Sequence, residues 1–79
     1  MGMSKEEKAI LLLEVYNQEV NRLGAETLEK KAELIRSRAD GELTQPAIDL
    51  KLKEINDYNE LEKGRIERRF LRAICSLEE

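Results

Sequence analysis

The sequence predicts an all-α fold, a long antiparallel helical hairpin that pairs with a second copy into a four-helix bundle. Apolar residues recur at three- and four-residue spacing on both sides of one short segment, residues 39–46, where helix stop and start residues are concentrated. The composition, 39% charged and 41% hydrophobic, is typical of long paired helices. A chain this short buries only about 60% of its unfolded surface, so we expect a lone hairpin to need a partner.

The first helix is predicted over residues 5–38. Ser4 and Glu7 match the S-x-x-E capping box, so the helix should begin at Lys5. We expect residues 1–3 to be an added or disordered start and residues 4–79 to form a single domain. The predicted core stripe of this helix is Ala9, Leu13, Tyr16, Val20, Leu23, Leu28 and Ile35.

Gly24 interrupts the regularity of that stripe. A glycine in the middle of a helix costs about 1 kcal/mol relative to alanine, so its presence calls for an explanation. Three interpretations are open: a close approach between helices, a kink, or a break that would divide the first helix in two.

Residues 39–45 are predicted to form the turn. Gly41 suits the left-handed position that ends a helix, and Thr44 suits the N-cap of the next one. Pro46 is tolerated in a first helical turn, because the missing N–H has no partner there. Leu43 and Ile48 then occupy the two positions of a hydrophobic staple.

The second helix is predicted over residues 46–77. Its expected core stripe is Ile48, Leu52, Ile55, Ile66, Phe70, Ala73 and Leu77, with Asn59 and Glu62 interrupting the centre. Asn59 is either a register-setting polar residue or a partly exposed one. Folding back about the turn places Ile35 near Ile48, Leu28 near Ile55, Gly24 near Asn59 and Leu13 near Phe70.

One flank of the second helix is basic and contains an aromatic residue. This basic flank consists of Lys51, Tyr58, Arg65, Arg69 and Arg72, which share one side of a helix. Such a stripe is a candidate nucleic-acid contact, because it can follow a phosphate backbone and stack on a base. The competing interpretation, which we favour, is pairing with glutamates, since Glu14 and Glu19 fall level with Arg69 and Arg65.

Several apolar residues lie off both predicted stripes and are not used by the hairpin. Leu11 and Val15 point away from the core of the first helix. Uncovered apolar surface on a small chain indicates an interface. The predicted protein interface is Leu11, Val15, Leu61, Leu71, Ile74 and Cys75.

The residue types present argue against an enzyme. There is no histidine, so the commonest general base and metal ligand is missing, and we predict no catalytic, cofactor or metal site. Cys75 is the only cysteine and lacks an obvious activating base. No apolar run approaches the ~20 residues of a membrane span, so we expect no membrane partner. The single cysteine and the lack of a secretory apolar segment at the start favour a cytoplasmic location.

Residues 3–9, MSKEEKA, followed by a helical hairpin, resemble the Rop-type plasmid copy-number regulators. Tyr16 lies where that family keeps a functional aromatic residue. The resemblance implies a hairpin that dimerises into a four-helix bundle and binds paired RNA loops. The turn is longer here and the second helix shares no motif with the family, so no site residue is carried over.

The function predicted from the sequence is a small non-enzymatic regulatory protein that binds other proteins as a helical homodimer, of a phage, plasmid or bacterial accessory type. The alternative is a Rop-like RNA or nucleic-acid binder that uses the basic flank of the second helix.

Overall fold

The computed structural model describes residues 2–78 and contains two α-helices, α1 (Lys5–Ala39) and α2 (Gln45–Leu77). Tyr16 of α1 contacts Phe70 of α2, and Lys30 contacts Tyr58, so the two helices run antiparallel. The predicted helical hairpin is therefore confirmed. Met1, part of the predicted 1–3 start, and Glu79 lie outside the described residues.

The cap predicted at the start of α1 is present. Ser4 has extended backbone angles, φ −68° and ψ 166°, and its Oγ accepts a hydrogen bond from the backbone N–H of Glu7 at 3.1 Å. Glu6 and Glu7 also place negative charge at the N-terminal end of the helix, where the helix dipole favours it.

Helix α1 continues without a break through Gly24, which excludes the three-helix interpretation. Within the hairpin there is no close approach at this position, because a Cβ added at Gly24 would meet nothing within 4 Å. Gly24 is instead an open position on the surface of the hairpin.

The turn ends α1 in the way that the sequence predicts. Gly41 has a φ of +76°, and its N–H donates to the carbonyl of Arg38 at 3.0 Å, while the N–H of Glu42 donates to the carbonyl of Ser37 at 3.0 Å. This pair of backbone hydrogen bonds is a Schellman motif. Thr44 caps α2 by accepting from the N–H of Ala47. Helix α1 ends one residue later than predicted, and α2 begins one residue earlier.

Gly41→Ala should destabilise the protein by about 1 kcal/mol, because a side chain is strained at positive φ. Glu42→Ala is the matched control, since the motif uses only the backbone of Glu42. Thermal melts of the two variants check this. Equal shifts for both variants would contradict the assigned role of Gly41.

The core is small. Among residues 2–78 only Leu23, Ile48 and Ile66 are buried. The predicted α2 stripe is confirmed, since every apolar residue in it is buried or partly buried. The predicted α1 stripe is wrong at three positions, Leu13, Leu28 and Ile35, which are 46%, 70% and 71% exposed. Partly buried Leu12, Thr27 and Leu34 lie on the α2 side of α1 instead.

The register differs from the prediction by about one helical turn. Asn59 Oδ1 accepts a hydrogen bond from Thr27 Oγ1 at 2.8 Å, where the sequence placed Asn59 near Gly24. Phe70 packs on Tyr16, with ring centroids 4.8 Å apart, where the sequence placed it near Leu13. The reason is that helical side chains lean towards the N-terminus of their own helix. In an antiparallel pair this lean displaces both partners of a contact to higher residue numbers.

Candidate interaction surfaces

One flank of α1 carries a row of apolar residues that α2 does not cover. The apolar row lies roughly 100° around α1 from its line of contact with α2, and its members follow each other at spacings of three and four. Its apolar members are Ile10, Leu13, Val20, Leu28 and Ile35, and Asn17, Gly24 and Lys31 lie between them. Leu71 and Ile74 of α2 lie on the same face of the hairpin. We call this side the apolar face.

The apolar row accounts for much of the exposed apolar surface. Leu28 and Ile35 are the two most exposed large apolar residues of the described chain, and Ile10 and Leu13 are about half exposed. Eleven large apolar residues are exposed within residues 2–78, against the three that are buried. Exposed apolar side chains that share one flank of a helix, unlike scattered ones, indicate an interaction surface.

The hairpin is more extended than a compact globular chain of the same length. Its radius of gyration is 18.1 Å, and it measures 61 × 17 × 10 Å, whereas a compact chain of this length has a radius of about 12 Å. It exposes 6366 Å², whereas a compact protein of 9.2 kDa exposes about 4,900 Å². The excess is roughly 1,400 Å² per chain.

A groove opens on the apolar face near the turn. It has a volume of about 270 Å³ and an apolar floor that includes Leu34, Ile48 and Leu52. Lys31 and Arg38 line the same groove and place two positive charges beside that floor. The groove therefore suits an apolar side chain that has a carboxylate close to it.

The opposite side of the hairpin, the charged face, brings the basic flank of α2 next to an acidic part of α1. The α1 residues on this face are mostly acidic, namely Glu19, Arg22, Glu26, Glu29 and Glu33. Arg69 pairs with Glu19 at 3.0 Å, and the ammonium of Lys30 lies 4.5 Å from the centroid of the Tyr58 ring.

The structure thus bears on the five predicted nucleic-acid contacts individually. Arg65 pairs with Glu62 at 2.7 Å, not with Glu19 as the sequence suggested, and Arg69 pairs with Glu19, not with Glu14. Lys51 and Arg72 are exposed and make no ion pair with another described residue. The five residues share one face, and three of them are engaged within the hairpin.

The six residues predicted as a protein interface do not form one surface. Leu11, Val15 and Leu61 lie on the side of the charged face, with Val15 beside Arg69. Leu71 and Ile74 lie on the apolar face. Cys75 is exposed on the side of α2 that faces away from α1.

The apolar row was not predicted from the sequence, because Leu13, Leu28 and Ile35 were assigned to the core. The signal that separates the two stripes is present in the sequence. Leu12, Tyr16, Leu23, Thr27 and Leu34 form a stripe towards α2 at helical spacing, and the apolar row follows beside it. Two adjacent apolar stripes on one helix indicate two helical neighbours.

Within residues 2–78 no three histidine, cysteine, aspartate or glutamate side chains come together in a way that could hold a metal ion. In the same part of the chain neither helix has an apolar segment of the length that a bilayer crossing requires.

Comparisons of the chain with protein-family models, with curated protein sequences and with solved structures found no match.

Proposed function

We propose that this chain is a small non-enzymatic regulatory protein of the cytoplasm, which binds other proteins as a helical homodimer. The observation that carries the proposal is the apolar row, whose most exposed members, Leu28 and Ile35, have no partner on α2. A chain with this much uncovered apolar surface and so small a core gains stability when a second helical surface covers the row.

The size of the uncovered surface supports a second copy of the chain as the covering partner. Two chains that each bury the excess of roughly 1,400 Å² form an interface of about 2,800 Å², which falls in the range of obligate homodimers. Two hairpins stacked through their apolar faces make a four-helix bundle.

In such a bundle the two charged faces point outwards, where each presents an acidic row from α1 beside the basic flank from α2. A surface with both signs of charge fits a protein target that carries a complementary pattern. Complementary charges of this kind serve to select a binding partner rather than to catalyse a reaction.

Sedimentation equilibrium tests the homodimer. The expected result is a species of twice 9.2 kDa at micromolar concentration. A well-folded single chain at high micromolar concentration would overturn the proposal.

A pull-down from the native host tests the protein target. We expect the parent protein to retain partners that resist nuclease treatment, and the Lys51→Glu, Arg72→Glu double variant to lose them.

A second candidate function is nucleic-acid binding of the Rop-like kind. The observation in its favour is that Lys51, Tyr58, Arg65, Arg69 and Arg72 lie along one face of α2. The observation against it is that neighbouring side chains hold Tyr58, Arg65 and Arg69.

Arg65→Glu with Arg69→Glu separates the two candidates. If the arginines serve only the hairpin, the pair should lower stability by about 1 kcal/mol, because exposed ion pairs contribute little, and the parent should not shift nucleic acid in a gel. If they bind phosphates, the parent gives a gel shift that weakens steeply with salt and is lost in the variant.

A further inference from the structure

We propose that the two copies stack in antiparallel orientation through α1, so that the first turns of α1 in one copy occupy the groove near the turn of the other. This inference rests on the proposed homodimer and specifies its geometry. The occupant of each groove is residues 6–13 of a second copy.

The charges along α1 support the antiparallel orientation. Glu6 continues the apolar row at its N-terminal end, and Arg38 continues it at its C-terminal end. When two copies of α1 run antiparallel about an axis near Arg22, Glu6 lies opposite Arg38 of the partner subunit. In a parallel α1 pair the same residues would meet their own copies, with like charges opposed at both ends.

The apolar members of the row match at the ends and the centre in this orientation, while Leu13 and Leu28 lie opposite Lys31 and Asn17 of the partner subunit. Ile10 lies opposite Ile35 of the partner subunit. Val20 lies opposite Gly24 of the partner subunit, where the space beside the glycine is open. A bulky residue facing an open position allows two helices to approach closely.

The groove has the chemistry that residues 6–13 require. Its floor accepts the side chain of Ile10, and the positive charges of Lys31 and Arg38 lie close to it. Glu6 stands one helical turn before Ile10, so its carboxylate reaches that side of the groove. Apolar and charged parts of the segment therefore each meet a complementary part of the groove.

A different stacking, with the hairpins parallel and α1 lying over α2 of the partner, fits less well. It would bring Ile35 over Asp49 of the partner subunit and Leu28 over Asn56 of the partner subunit. Both of the two most exposed apolar residues would then face polar side chains, whereas in the antiparallel α1 pair only Leu28 does.

Distances between spin labels distinguish the arrangements. Asn21→Cys and Arg36→Cys, each combined with Cys75→Ser, place a single label on each chain at an exposed position. In the antiparallel dimer two labels at position 36 are about 42 Å apart along the helices, whereas two labels at position 21 are almost level. The expected result is a long distance at position 36 and one under about 20 Å at position 21.

The outcomes separate the geometry from the homodimer itself. Equal short distances at both positions would overturn the antiparallel orientation while leaving the homodimer intact. No dipolar coupling at any protein concentration would overturn both.

A charge exchange tests the contact at each end of the row. Glu6→Arg should weaken the dimer several-fold, and adding Arg38→Glu should restore it. Glu7→Arg is the matched control, because it changes the same first helical turn but points off the row. If Glu6→Arg and Glu7→Arg act alike, or if the second change does not restore the dimer, Glu6 does not face Arg38 of the partner subunit.

Discussion

Leu28→Glu with Ile35→Glu should convert the protein into a poorly folded monomer. Leu28 is 70% exposed and Ile35 is 71% exposed in the single hairpin, so the substitutions remove almost no packing contact within the hairpin itself. In the proposed homodimer each buried side chain would contribute about 1.5–3 kcal/mol, and symmetry counts each change twice. The dissociation constant should therefore rise by several orders of magnitude. Sedimentation and circular dichroism measure the effect.

Leu50→Glu is the matched control for this pair. Leu50 is also a strongly exposed leucine, 59%, but it lies on the side of α2 that faces away from both α1 and the apolar face. It should leave the dimer intact. If Leu50→Glu and the double variant behave alike, the apolar row has no special role.

Ile66→Ala should reduce the free energy of unfolding by about 2–5 kcal/mol, because the truncation leaves a cavity in the centre of the hairpin. Ile66 is 7% exposed and is one of only three buried residues within residues 2–78. A protein of this size has a total stability of roughly 4–12 kcal/mol, so this single change removes a large part of it. Denaturant unfolding at one fixed protein concentration measures the loss.

Leu61→Ala serves as its control. Leu61 lies on α2 five residues from Ile66, but it is 52% exposed, so its truncation should change the stability by less than about 0.5 kcal/mol. A comparable loss at both positions would contradict the small core described for the hairpin.

The fold was predictable from local signals in the sequence. Ser4, Gly41 and Thr44 each belong to a residue type whose side chain or backbone freedom ends or begins a helix, and each adopts that role. The α2 stripe was also predictable, because the apolar residues of α2 lie mainly on the one side that meets α1. Local chemistry sufficed in both cases.

The side of α1 that packs against α2 could not be predicted from the periodicity of α1 alone. Apolar residues occupy two adjacent stripes, and an average over both points between them, towards Val20. Only the position of α2 shows which stripe belongs to the hairpin. The register depended in addition on the lean of side chains along each helix, which displaced Asn59 from Gly24 to Thr27.

The division into an apolar and a charged face was likewise beyond a one-helix analysis. Arg69 and Glu19 lie fifty residues apart in sequence, and their pairing follows from the register of the two helices. Leu11 and Leu71 lie at the same end of the hairpin. They lie on opposite sides of it, because the flanks that carry them are on different faces.

Small-angle X-ray scattering over a range of concentrations tests most directly whether two hairpins stack through their apolar faces. We expect a mass of twice 9.2 kDa with a longest dimension close to that of one hairpin, 61 Å, because stacking adds thickness and not length. A fully helical particle with the mass of one chain and a radius of gyration near 18.1 Å at every concentration would contradict it.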